Sequence, residues 1–299
     1  MNLNDLLKSP QAIAAIVAAI TSLTTLLLTL LTKNSIEKRL LTFRLNKEHE
    51  FEQRKNIKNV LASYKSHLLT ACENLNHRLW NFGKQEHYKW LDVNGDFAEK
   101  KNYYFHSFSY RILAVYAWMH KIQTELIHLD TTIASKNDLE FIKFMKFYGR
   151  IFSDTDFFKG YDDNYDYNHQ IDHIFKNNLD ELYQSITEKN EILSFNEYLE
   201  KIPSLHKEKL FVFYTLIDGV NATENRLRWQ WFQILKMINL AFLNSYGYDY
   251  QQTSKSKMLI ARNTPIKSKL NENFIFLLKE HKLEKQKEIK KLIKLLKQK

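Results

Sequence analysis

Four arginines lie among aromatic residues, and they are the side chains in this sequence best suited to chemistry. They are Arg78, Arg111, Arg226 and Arg228. Guanidinium groups beside aromatic planes are typical of proteins that hold phosphates and single-stranded nucleic acid. The pattern therefore predicts a binding site for a nucleotide or a single-stranded oligonucleotide, with Trp80, Trp118, Trp229 and Trp231 as possible stacking planes.

The same arginines have a structural interpretation. A buried guanidinium is costly unless a carboxylate or phosphate accepts its hydrogen bonds. The acidic residues available for an internal ion pair are Glu73, Glu125 and Glu224. The sequence leaves both interpretations open.

A second predicted phosphate contact is a basic segment near the C-terminus. Its ligand-binding candidates are Lys255, Lys257 and Arg262, with Lys267 and Lys269 in the same segment. Basic side chains on a loop suit phosphate contact, and a solvated linker is the alternative.

Residues for catalysis or metal binding are poorly supported. His169 and His173 have helical i, i+4 spacing, but the HExxH signature is absent and exposed polar residues explain them equally well. Cys72, Glu73 and His77 share a helical region without a catalytic arrangement. We expect no enzyme activity, no metal site and no cofactor.

A 24-residue uncharged run, Ser9–Thr32, lies near the start of the chain. At about 1.5 Å per residue it reaches across the roughly 30 Å of bilayer hydrocarbon. On a helical wheel, small and polar residues share one edge and large aliphatic residues share the other, with Thr24 as the clear exception. The predicted pore-lining residues on the small edge are Gln11, Ala18, Ser22, Thr25 and Thr29.

Three interpretations of this run compete. A cleaved signal peptide fits poorly, because the start is not basic and the apolar segment is long. A plain membrane anchor needs no separation of small from large residues. Small residues and hydroxyls favour close contact between spanning helices, so the run predicts self-association, either as a pore or as a dry helix contact.

Charge flanking the run predicts its orientation. Lys8 precedes it, whereas Lys33, Lys38, Arg39 and Arg44 follow it. By the positive-inside rule, the N-terminus lies outside and the C-terminal part lies in the cytoplasm of a bacterial inner membrane. The single cysteine, Cys72, agrees with a reducing compartment.

Composition predicts an all-α fold. Six glycines and three prolines supply few of the tight turns that strand-rich folds need. No glycine-rich phosphate loop occurs. The predicted organisation is a short extracytoplasmic N-terminus (1–9), a transmembrane helix (10–32), a polar helical stalk (33–66), an α-helical cytosolic domain (67–250), and a basic loop with an amphipathic tail helix (251–299).

The last 49 residues carry the whole net charge. They hold 14 Lys or Arg and four Glu, and the chain as a whole has a net charge of +10. The rest of the chain is balanced. This basic tail predicts an anionic partner, either nucleic acid or membrane lipid. A coiled coil between subunits is the alternative for its helix.

Two segments, LNHRLWNF (75–82) and YYFHSFSYRILAVYAW (103–118), are similar to bacterial proteins with one N-terminal membrane helix and an α-helical cytosolic domain. The layout resembles the membrane effectors of bacterial anti-phage systems, among them the transmembrane effector of the Hailong system. No functional motif aligns, so no residue role is carried over. The resemblance implies an oligomeric channel gated by a nucleotide or oligonucleotide signal.

Two functional hypotheses follow. In the first, the chain is a homo-oligomeric membrane effector with a ligand-gated pore, an antiviral ion channel. In the second, it is a membrane-tethered binding or scaffold protein for nucleic acid or a protein partner, without conduction.

Overall fold

The computed structural model describes residues 9–82, 88–161, 165, 168, 172–205, 210–224, 226–262 and 268–297. These residues form an all-α fold, as predicted. The chain divides into two units, Met1–Lys55 and Asn56–Lys299.

The first helix, α1 (Pro10–Asn81), has 72 residues without a break. Ser9 caps it, because its Oγ accepts a hydrogen bond from the Ala12 amide at 3.1 Å. Pro10 suits the first helical position, where an amide hydrogen has no partner in the helix. No glycine or proline interrupts the sequence before Asn81, which explains the length.

The first unit consists of the N-terminal part of α1. One apolar stretch of this helix, near the N-terminus, is long and apolar enough to cross a membrane, with a mean hydropathy of 2.2, and none of that stretch is buried. Its large aliphatic side chains, such as Leu23, Leu28 and Leu31, are exposed. In water such a surface would be strongly unfavourable, so the run needs lipid or protein around it.

The second unit contains the remaining helices. They are α2 (Tyr103–Leu126), α3 (Lys136–Tyr148), α4 (Lys176–Ser185), α5 (Phe195–Leu205), α6 (Phe211–Ile217), α7 (Arg228–Tyr246), α8 (Lys255–Arg262), α9 (Ser268–Glu280) and α10 (Lys287–Leu296). Short 3₁₀ turns lie at Tyr88–Leu91, Thr131–Ile133, Thr155–Phe158 and Asp249–Gln251. One two-stranded hairpin, β1 (Thr187–Glu188) and β2 (Glu191–Ile192), joins α4 to α5.

Helix α7 is the central element of this unit, since its residues from Arg228 to Leu243 are all buried. Asn239 connects it to two other helices. Its amide donates to the Cys72 carbonyl of α1 at 3.0 Å, and its Oδ1 accepts from the Tyr148 hydroxyl of α3 at 2.8 Å. A buried polar side chain with both groups satisfied fixes the register of the helices around it.

Local sequence signals explain several boundaries. A capping box precedes α5: the Ser194 amide donates to Glu197 Oε2 at 2.7 Å, and the Glu197 amide donates to Ser194 Oγ at 3.4 Å. The hairpin turn uses Lys189 and Asn190, both with positive φ (48° and 69°), as a two-residue hairpin turn requires.

The second unit begins before the predicted cytosolic domain does. Ile57 and Leu61 of α1 are already buried, although the predicted stalk runs to residue 66. The apolar residues of α1 from Ile57 onward recur at helical spacing, so they pack into the core as soon as the polar stretch ends.

The C-terminal region differs most from the sequence prediction. The segment predicted as a basic loop contains α8, and the single tail helix is two helices, α9 and α10. Their apolar faces are buried, with Phe274, Leu292 and Leu296 in the core. Burial of such side chains is worth about 1.5–3 kcal/mol each, which explains why the tail joins the second unit.

Candidate functional site

The predicted pore-lining residues all lie on α1 and are exposed in the isolated chain. They are Gln11, Ala18, Ser22, Thr25 and Thr29. Thr25 and Thr29 donate their hydroxyl hydrogens to carbonyls of their own helix, Thr21 and Thr25 respectively, each at 2.7 Å. These hydroxyls therefore need no water, and each retains lone pairs for an outside donor.

Arg228 does not point to a ligand, which corrects its place in the predicted site. It is buried and forms an ion pair with Glu224, with Nη2 at 2.7 Å from Oε2. Nη1 also donates to the carbonyls of Thr215, Leu216 and Asp218 at the end of α6. The guanidinium therefore links the end of α6 to the start of α7, and internal oxygens accept these hydrogen bonds. This agrees with the interpretation of the arginines as members of internal ion pairs.

Arg226 is likewise held internally. Its Nε donates to Asp172 Oδ1 at 2.8 Å. The other oxygen of that carboxylate accepts from the Leu227 amide at 3.1 Å. Asp172 therefore holds the start of α7. Because Arg226 and Arg228 both pair with internal carboxylates, we do not retain them as candidate ligand-binding residues.

Arg78 and Arg111 are brought together on the surface of the second unit, where α1 lies beside α2. Arg78 Nη2 donates to the Ser107 hydroxyl at 2.9 Å. Arg111 Nη1 donates to the Asn74 carbonyl at 2.6 Å. Helical spacing explains the placement, because Tyr103, Ser107 and Arg111 follow one another at i, i+4 on α2.

Two adjoining cavities lie at these arginines, and Tyr103 lines both. The cavity at Arg111 measures about 340 Å³ and that at Arg78 about 490 Å³. We call them together the arginine groove. Its main lining residues are His67, Asn74, Arg78, Lys89, Trp90, Lys101, Tyr103, Tyr104, Ser107, Arg111 and Trp118. Cavities of this size hold small organic ligands.

Aromatic rings in the groove are available for stacking. Trp90 is 51% exposed and Tyr103 is 55% exposed. The Arg78 guanidinium lies 4.5 Å from the centre of the Tyr104 ring, and His67 stacks on Trp118 at 4.7 Å. Large exposed rings beside cationic groups suit the flat faces of nucleobases.

The electrostatics of the groove favour an anion. Burial, and next the neighbouring charge of Arg78, lowers the pKa of Arg111. Neither arginine forms an ion pair with a carboxylate of the described residues, and Arg78 Nε is buried without a hydrogen-bond partner there. Within the part of the chain that the structure describes, Asp92 is the one carboxylate that lines the groove, on the Arg78 side. A phosphate would relieve the repulsion between the two guanidinium groups.

The predicted basic segment lies elsewhere. Lys255 lines a cavity of about 350 Å³ together with Lys291 and Lys294 of α10. Lys257 is exposed on α8, and the side chain of Arg262, like Lys267, lies outside the described residues. This cavity shares no lining residue with the arginine groove.

Another cavity adjoins the one at Lys255 and measures about 790 Å³. Its charged lining residues are Lys58, Lys65, Asp138, Glu140, Lys287, Glu288 and Lys291. Three carboxylates offset four lysines, and Glu288 forms an ion pair with Lys291 at 2.7 Å. The mixture makes it a weaker anion site than the arginine groove.

Metal-binding and nucleophilic residues receive no support in the described part of the chain. No group of three His, Cys, Asp or Glu side chains there is placed to hold a metal ion. His173 bonds the Tyr165 hydroxyl at 2.7 Å, and His169 lies outside the described residues. Cys72 is fully buried, which raises the pKa of its thiol well above the ordinary value and leaves it protonated.

The main exposed rings of the groove, Trp90 and Tyr103, were not among the stacking residues predicted from the sequence. Four tryptophans were predicted instead, but Trp229 and Trp231 are core residues. The ammonium group of Lys236 lies over the Trp80 ring. Of these four tryptophans, Trp118 is the one that lines the described part of the groove. The i, i+4 spacing of Tyr103, Ser107 and Arg111 is the signal that identifies Tyr103 as a groove residue.

Comparisons of the chain with protein-family models, with curated proteins and with solved structures found no match. The similarity of layout to anti-phage membrane effectors therefore stays a prediction.

Proposed function

We propose that this chain is a homo-oligomeric, single-pass membrane effector that acts in bacterial anti-phage defence. In this proposal Pro10–Thr32 crosses the inner membrane with the N-terminus outside, and several copies surround a pore. The second unit lies in the cytoplasm and binds a nucleotide or a single-stranded oligonucleotide in the arginine groove. Binding changes the open fraction of the pore, because the ligand has different affinities for the closed and open states.

The observation that carries the proposal is the exposed, uncharged run at the start of α1, with its small and polar residues on one edge. Lipid is apolar on every side of a lone anchor, so such an edge has a use only against another helix or water. Every large aliphatic residue on the opposite edge suits lipid.

The arginine groove supports the ligand part of the proposal. Two guanidinium groups without a carboxylate partner among the described residues lie beside exposed rings of Trp90 and Tyr103. Phosphate and base recognition use the same combination of groups. The anti-phage role rests on the resemblance of layout alone.

One observation favours the second candidate function, a membrane-tethered binding protein without conduction. Thr21, Thr25 and Thr29 each donate to a carbonyl four residues earlier in α1. A threonine satisfied in this way is stable in a dry helix contact, so self-association does not by itself require a water-filled pore.

Ion flux from liposomes separates the two candidates. We expect the purified protein to release a trapped ion, and the double variant Thr25→Leu, Thr29→Leu to lose most of that flux, because leucine removes the polar lining. The matched control is Leu27→Val, Leu31→Val on the opposite edge, which should conduct like the wild type. Equal flux from all three proteins would exclude the pore-lining role, and no flux from any would favour the tether.

A further inference from the structure

The part of α1 that follows the membrane run carries an exposed apolar stripe. Ile36, Leu40, Phe43 and Phe51 are 46–64% exposed, and most of the residues around them are polar, with Leu41 and Leu45 exposed on another face. Lys47 lies on the same stripe, and its ammonium group lies 5.8 Å from the centre of the Phe43 ring. The sequence analysis described this stretch as a polar stalk. Four large apolar side chains on one face of a water-exposed helix are a surface without a partner.

This stripe has the same helical phase as the small edge of the membrane run. At about 100° per residue, the small residues and the apolar residues all fall in one sector roughly 80° wide. In chain order they are Gln11, Ala15, Ala18, Ser22, Thr25, Thr29, Ile36, Leu40, Phe43, Lys47 and Phe51. We call this line of residues the seam. It continues from the membrane run into the following stretch because α1 is one uninterrupted helix, and Lys33 lies in the same sector between Thr29 and Ile36.

The chemistry of the seam changes where the solvent changes. In lipid, large apolar residues give no driving force for association, and small residues allow close helix packing. In water, large apolar residues at spacings of four and three drive helix pairing. A single partner helix that follows α1 from the bilayer into water would meet the residue type suited to each medium.

We propose that the seam docks a second copy of this chain in parallel, both inside the membrane and beyond it. The inference rests on the proposed self-association, because single-pass copies with one topology must align in parallel. Lipid does not cover the stripe: at about 1.5 Å per residue, Phe43 lies roughly 16 Å and Phe51 roughly 28 Å past Thr32, beyond the headgroups of an upright helix. In a ring of parallel copies every seam faces the common axis, so its hydroxyl residues line the pore inside the membrane and its large apolar residues pack against those of neighbouring copies beyond it.

Salt bridges along α1 agree with such a contact. Lys33 pairs with Glu37, Lys47 with Glu50, and Lys55 with Glu52, and all are surface pairs along the same stretch. Each pair lies within one helix, so it satisfies its own charges, and the long side chain of Lys47 can extend from the seam to water. They leave the apolar residues themselves as the contact.

Cysteine cross-linking in native membranes tests the seam. In a Cys72→Ala background, single variants Leu40→Cys and Phe43→Cys lie on the seam, and Leu41→Cys and Leu45→Cys are equally exposed controls on another face. Because a disulfide needs Cα atoms within about 7 Å, we expect at least about fivefold more covalent dimer at the seam positions than at the controls. Thr25→Cys tests the membrane part separately.

Equal cross-linking on both faces, or none at Leu40 and Phe43, would overturn the seam outside the membrane. If Thr25→Cys still forms dimers in that case, the proposed self-association stands and only its extension fails. If Thr25→Cys also fails, the proposed oligomer fails with it. The seam substitutions lie at exposed positions and remove no core contact. The buried Cys72→Ala is common to the seam variants and the controls, so it does not explain a difference between the two faces.

Discussion

Arg111 decides at the residue scale whether the groove binds an anion. Its guanidinium lies near that of Arg78 and has one neutral partner, the Asn74 carbonyl. Each charged hydrogen bond to a phosphate is worth about 1.5–3 kcal/mol. Arg111→Gln should therefore weaken binding of a fluorescein-labelled, mixed-sequence single-stranded DNA hexamer about 10-fold to 100-fold, measured by fluorescence anisotropy.

The control for that measurement is Lys257→Gln, which removes the same charge from an exposed position outside the groove. It should change the affinity by less than about threefold, since exposed charges interact weakly through water. Equal losses in both variants would mean that binding depends on net charge and that the groove is not the site.

Lys236 offers a second residue-scale prediction, on stability. It is buried on α7, its Nζ lies 4.3 Å from the centre of the Trp80 ring, and it has no ion pair among the described residues. Burial lowers its pKa from 10.5 to about 8. The folded state therefore bears the cost of a buried charge below pH 8 and is relieved of it as the pH rises toward 10.5.

Lys236→Met removes that cost. We expect the variant to be more stable than the wild type by about 2 kcal/mol at pH 7, after allowing about 1 kcal/mol for the lost contact with Trp80. The gain should shrink by pH 9.5, because the wild-type lysine is then largely neutral when folded. Urea unfolding of the detergent-solubilised protein measures both values, with Lys257→Met as the exposed control. A gain that does not change with pH, or a loss of stability, would contradict the assignment.

At the scale of the elements, the sequence predicted the all-α fold because glycine and proline, which supply tight turns, are scarce. Local residues also define the start of a helix, as Ser194 and Glu197 do in the capping box of α5. Helix boundaries set by distant contacts were missed. Helix α7 begins at Arg228 because Asp172, more than 50 residues away, holds the Leu227 amide, and no local signal reports that contact.

The tail shows the same limit. A basic amphipathic helix has the same local pattern whether its apolar face meets lipid, another subunit or its own core. Asn271 of α9 donates to the Leu296 carbonyl at the end of α10, which ties the two tail helices together. The candidate site divides in the same way: the arginines were recognised from their neighbours, but which of them have internal carboxylates depends on the tertiary fold.

At the scale of the whole molecule, one chain carries three features that bear on its function. They are the exposed uncharged run of α1, the seam that continues beyond it, and the arginine groove of the second unit. Together they support the proposal of a membrane assembly of identical copies that responds to an anionic ligand. Without assembly the seam has no partner, and the chain is reduced to a tether.

The mass of the detergent-solubilised protein tests this claim most directly. Light scattering with the detergent contribution subtracted should give an integral multiple, two or more, of the 35.8 kDa chain mass. The multiple should persist on dilution, because both parts of the seam hold the copies together. A protein mass of one chain at every concentration would contradict the account.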